Sequence, residues 1–159
     1  MLAIPKVSSE RRRYIPMVFV EPEIIVNGST LIIPNATLYE FGILMSNVHN
    51  AWMRVVAGRL ETRYQYSNTV VYNNFPWCNP TVEQKAKIEK SAQSILDARK
   101  KFFDSSLADL YDESFMPAEL RKAHRENDTA VMQAYGFNIK MTESECVAEL
   151  FKLYEKLSK

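Results

Sequence analysis

The chain has 159 residues, 47% hydrophobic and 25% charged, with a formal net charge of +1; this is an ordinary globular composition for one domain, or one and a half, with no low-complexity segment. No apolar run nears the roughly 18 residues of a membrane span, and the N-terminus lacks a signal pattern, so a cytoplasmic protein without membrane contact is expected. Cys78 and Cys146 lie far apart without histidine neighbours, which predicts free thiols and offers no zinc pattern.

Residues 14–34 read as short strands. "YIPMVFV" and "STLIIP" are rich in β-branched and aromatic residues, and Pro16, Pro22 and Pro34 punctuate them. Asn27-Gly28, between "EIIV" and "STLII", predicts a hairpin. Thr37 then opens a helix, because "TLYE" can form a capping box. Leu38, Phe41, Met45, Val48, Trp52 and Val55 continue it at helical spacing to a stop at Gly58, with Gly42 marking close packing. "NTVVY" at 68–72 reads as one more strand, which "FPWCNP" ends.

From Thr81 the pattern turns helical. "TVEQ" is a second capping box, and Ile88, Ala92, Ile95, Leu96 and Phe102 share a face. "SLADLYD" is a short helical turn, a third helix runs from Pro117 to just before Gly136, and "TESE" opens a fourth at Thr142. The expected class is α+β: a small mixed β-sheet with one long helix over residues 1–80, followed by a C-terminal helical domain over 81–159.

Charge divides along the same line. Residues 1–80 carry seven Lys/Arg against five Asp/Glu, and residues 81–159 carry thirteen against fourteen. Arg11, Arg12 and Arg13 are consecutive, and Arg54, Arg59 and Arg63 fall within ten residues; such clusters are either solvated faces or footprints for phosphate. One of the three consecutive arginines is expected to pair with Glu10 or Glu21.

Catalytic patterns are weak. Asn74-Phe75-Pro76-Trp77 resembles the Asn-Pro-Pro-aromatic motif of amino-methylating enzymes, but Phe75 replaces the first proline. No glycine-rich turn is present to hold a nucleotide-like cofactor. A strand end anchored by Phe75 and Trp77 is the simpler reading. His49 and His124 have no partners at metal-ligand spacing, and no serine sits in a Gly-x-Ser-x-Gly turn.

"ETRYQYS" is more informative. On an extended segment Glu61, Arg63, Gln65 and Ser67 share one face, while Thr62, Tyr64 and Tyr66 share the other. Glu accepts from the cytosine amine, Arg donates to guanine O6 and N7, and Gln pairs with adenine. The same residues also fit a surface ion pair worth at most about 1 kcal/mol. A helical protein–protein adaptor, docking a partner through residues 81–159, is the alternative function.

"VSSERRRYIP", "PNATLYEFGILMSNVHNAWMR", "GRLETRYQYSNTVVYNNFPW" and "ARKKFFDSSLADLYDESFMPAELRKAH" resemble the C-terminal end of MmeI-like DNA methyltransferases of restriction–modification systems. The resemblance implies that residues 1–80 are the last part of a DNA target-recognition domain and 81–159 a helical domain beside it. It implies that Glu61 and Arg63 read one base pair jointly, in the version associated with cytosine. Gln65 falls where relatives often carry Arg. It also implies double-stranded DNA as partner, with Arg11, Arg12, Arg13, Arg54 and Arg59 on phosphates. The adenine-N6 methyltransferase domain, its S-adenosylmethionine and any nuclease would lie upstream in the same polypeptide, leaving no cofactor and no catalytic residue in this chain.

Overall fold

The computed structural model describes residues 1–159. Two three-stranded antiparallel sheets replace the single mixed sheet expected, within the α+β class. The first eight residues run through both. β1 (Leu2–Pro5) lies between β3 (Val18–Phe19) and β4 (Thr30–Ile33), and β2 (Val7–Ser8) joins the second sheet. Leu2, Ala3 and Ile4 are buried, which fixes β1 as the inner strand. The expected hairpin at Asn27-Gly28 is not formed: β3 and β4 each pair with β1, and Asn27 is instead a turn residue whose Oδ1 accepts from the Ser29 amide at 3.0 Å.

The predicted long helix is two helices, α1 (Leu38–Leu44) and α2 (Asn47–Val56). The capping box of Thr37 and Glu40 opens α1 as expected. Ser46 opens α2, its hydroxyl accepting from the His49 amide at 3.3 Å, and Asp128 accepts from the Asn47 amide at 2.9 Å. The break is therefore held by a local cap and by a residue more than eighty positions away. Residues 68–72 are a π-helical turn rather than a strand. Ser67 caps it, and Asn74 Nδ2 donates to the carbonyls of Thr69 and Val70 at 3.1 and 3.2 Å. Asn74 thus has a structural task, and Phe75 stacks between His49 and Trp77.

The second half holds α3 (Val82–Lys100), α4 (Leu107–Leu110), α5 (Ala118–Tyr135) and α6 (Glu143–Leu157). The Thr81–Gln84 capping box forms. Pro117 is the N-cap of α5, one place before the expected first position, and Gly136 closes α5 with φ of 72°, in the left-handed region glycine tolerates. Thr142 caps α6.

The halves share one core of 29 buried apolar side chains. α1 crosses α3 at Gly42, where an added Cβ would lie 2.7 Å from Ile88 Cγ2, so a glycine is required for the close approach. Asn127 on α5 donates to the Gly42 carbonyl at 2.7 Å and accepts from Ser91 Oγ at 2.7 Å. Arg99 is buried without a carboxylate. Its guanidinium donates to the Met17 carbonyl at 2.7 Å and to Tyr111 Oη, which bonds His124 Nε2 at 2.6 Å.

Candidate nucleic-acid interface

β5 (Gly58–Leu60) and β6 (Arg63–Gln65) form a hairpin with a two-residue loop, Glu61-Thr62. Of these two loop residues only Glu61 has positive φ, at 60°; hairpin loops of that pattern usually carry glycine at the first position. The loop thus holds a carboxylate where the backbone favours no side chain, at a cost of about 1 kcal/mol or more. Observed strain of this kind clusters at binding sites.

Cross-strand register sorts the side chains. Leu60 opposes Arg63, Gly58 opposes Gln65, and Val7 of β2 opposes Gln65 from the other side. These share one face. Arg59, Tyr64 and Ser8 share the opposite face. Arg63 and Gln65 are exposed while Tyr64 and Tyr66 are buried, as alternation predicts. Tyr66 anchors the strand, its Oη 2.8 Å from His49 Nε2. Burial pushes the His49 imidazole down to about 3, so it is a neutral core group at ordinary pH.

Thr62 and Ser67 depart from the expected alternation. Thr62 sits in the exposed turn, where its carbonyl accepts from Arg59 at 3.0 Å, and Ser67 caps the π-turn. Glu61 Oε2 and Arg63 Nη2 lie 3.4 Å apart, with side chains 80% and 47% exposed. So open a pair contributes at most about 1 kcal/mol to folding, which leaves both groups available to a partner.

The other arginines occupy different settings. Arg59 stacks over the Tyr64 ring at 3.9 Å, on the opposite face from Arg63, and approaches Glu10 at 3.9 Å. It is Arg59, then, and none of Arg11, Arg12 and Arg13, that meets Glu10. Arg54 is engaged inside the fold, donating to Glu143 at 2.7 Å and to the Arg13 carbonyl. Arg11 and Arg12 line a surface hollow of about 360 Å³ facing Asp112 and Glu113. Arg13 loses water, which works against its charge, but Tyr14 and Asp128 outweigh this and raise its pKa. The structure therefore brings Glu61, Arg63 and Gln65 together at the hairpin tip and sets Arg54 and Arg59 apart from them. Gly58 and Leu60, which share the face of Arg63, were missed in the sequence; the register of a two-residue hairpin loop was the signal that could have found them.

A family model described as the MmeI target recognition domain matches residues 1–79, and one described as the MmeI C-terminal domain matches residues 81–159. DNA methyltransferase A of Bacillus subtilis (strain 168) is 39% identical over 157 residues, covering 99% of this chain and 18% of the relative. The solved structure of the type IIL restriction-modification enzyme MmeI in complex with DNA superposes with a TM-score of 0.96 at 48% identity, covering 99% of this chain and 21% of that one. The chain thus spans about a fifth of the length of each.

Proposed function

The chain belongs to the MmeI family, and on that premise we propose that it is the DNA target-recognition module of an adenine-N6 methyltransferase of the restriction–modification type. Residues 1–80 form the recognition part and 81–159 a helical support. Methyl transfer from S-adenosylmethionine belongs to a methyltransferase domain of the same polypeptide, and the working partner is double-stranded DNA.

The observation that carries this reading is the hairpin tip. Glu61, Arg63 and Gln65 offer an acceptor-only, a donor-only and a mixed group on one exposed surface. Glu61 takes the cytosine N4 amine and Arg63 the guanine O6 and N7 of the same pair. Gln65 lies beyond them on the strand and suits an adenine. Arg11, Arg12 and Arg13 supply phosphate contacts that set position without reading sequence. Arg54 and Arg59 join them only at the margin, given their partners within the fold.

Exchange of the pair, Glu61→Lys with Arg63→Asp, tests the reading in the protein at its natural length. Donor–acceptor complementarity is restored with reversed polarity, so the preferred base at one position of the methylated site moves from C to G. Sequencing of methylated sites reads the outcome. An unchanged site means that the two residues are a surface ion pair and no more.

A further inference from the structure

Leu60 closes the hairpin opposite Arg63, on the face that carries Arg63 and Gln65, and is 44% exposed. Its exposed neighbours Arg63 and Gln65 donate or accept hydrogen bonds, yet a leucine side chain does neither. It has therefore no business with the polar edges of bases. The apolar feature that the major groove displays is the C5 methyl group of thymine. Directly opposed residues on a hairpin sit about 4.5–5.5 Å apart, while successive base pairs rise about 3.4 Å. A group within reach of Leu60 thus belongs to the base step beside whatever Arg63 contacts.

Gly58 supplies a second observation. Its φ is not in the left-handed region, and an added Cβ would meet nothing closer than Gln65 Oε1 at 3.8 Å, an ordinary contact. The fold does not need glycine there. A glycine at the edge of a strand leaves room for another molecule to come close to the backbone, one of the uses strands make of glycine. The surface beside Leu60 is consequently recessed, and a groove floor can come up against the strand.

On the recognition reading above, we infer that Leu60 is a further specificity-determining residue: it packs on the C5 methyl of a thymine one base step from the pair read by Glu61 and Arg63. The contact selects thymine over cytosine, whose C5 carries only a hydrogen, and over either purine.

The test uses the protein at its natural length and duplexes holding its methylated site, with each thymine replaced in turn by uracil. Uracil pairs as thymine does and lacks only the methyl. At one position, next to the pair moved by the Glu61→Lys/Arg63→Asp exchange, uracil should weaken binding about fourfold, the worth of one buried carbon. Leu60→Ala should abolish that sensitivity. Uracil without effect at every position overturns the inference, as does equal sensitivity in the wild-type and Leu60→Ala proteins. The uracil series on the wild-type protein needs no variant to fold. If the pair exchange moves the site and uracil does nothing, Leu60 alone has been misassigned; if the wild-type protein shows no salt-dependent binding to duplex, both readings fall.

Discussion

Tyr14 Oη donates a 2.6 Å hydrogen bond to Asp128 Oδ2, tying the segment that follows the three arginines to the middle of α5 across 114 positions. The other carboxylate oxygen of Asp128 holds the first amide of α2. One side chain therefore sets both the arginine segment and the start of the helix that leads into the β5–β6 hairpin. Asp128→Ala strands a buried hydroxyl and a helix-terminal amide together. Urea unfolding should show a loss of about 3 kcal/mol, and the segment around Arg11 should become accessible to trypsin in the variant first. Unaltered stability would mean that water replaces the carboxylate without cost.

Acid should loosen the fold. Burial holds His49 at about 3, and burial with the neighbouring Arg99 charge holds His124 at about 3. Both are depressed from an ordinary value near 6.5, so their contribution is fully present above that value and is lost as pH falls towards 3. Asp128 acts in the opposite sense. Burial pushes its carboxyl up to about 6, so it favours the folded state as pH falls from about 6 to its ordinary value near 3.9. Two histidines outweigh one carboxylate, giving a net loss of about 3 kcal/mol between pH 7 and 4.5. Urea midpoints across that range measure it; a flat profile contradicts the burial of the two imidazoles.

Glu61→Gly should separate stability from recognition. Relieving the positive φ is offset in part by the greater freedom of glycine in the unfolded chain, which leaves a gain of about 0.5–1 kcal/mol. Discrimination at one base pair should fall at the same time, by about 1–3 kcal/mol. Thermal unfolding and competition binding with single-base variants of the site read the two effects independently. A variant that is both less stable and fully discriminating refutes the role given to this residue.

Replacing Arg11 and Arg12 with Ala should weaken binding to all duplexes alike. Two phosphate contacts removed should flatten the dependence of log affinity on log salt by about two. Arg54→Ala, by contrast, should act on stability, since its guanidinium is committed to Glu143 and the Arg13 carbonyl. If the double variant changed the preferred sequence instead, these arginines would be readers.

Helix ends were the most legible part of the sequence. The capping boxes at Thr37 and Thr81, Gly136 and Thr142 each act through neighbours within a turn. What could not be read depends on distant partners. β1 is four residues long and gains its meaning from Val18, Phe19 and residues 30–33. The break at Ser46 is concealed in an apolar repeat that continues through it, and Asp128 helps to hold it open. Val70 and Val71 suggest a strand, but the cap from Ser67 and the Asn74 amide impose a helical turn. At the hairpin, alternation revealed Arg63 and Gln65, whereas the opposite facing of Arg59 follows from register, which no single strand contains.

The hydrogen bonds from α3 and α5 into the first half bear on how such modules can be recombined. Asn127 reaches the Gly42 carbonyl, Asp128 reaches Tyr14, Arg99 reaches the Met17 carbonyl and Tyr135 reaches the Pro76 carbonyl. A chimera joined near residue 80 would separate every one of these donors from its acceptor and press a foreign α3 against Gly42. A new specificity is therefore more safely transplanted as the hairpin alone, residues 58–65, whose outward side chains leave the seam untouched.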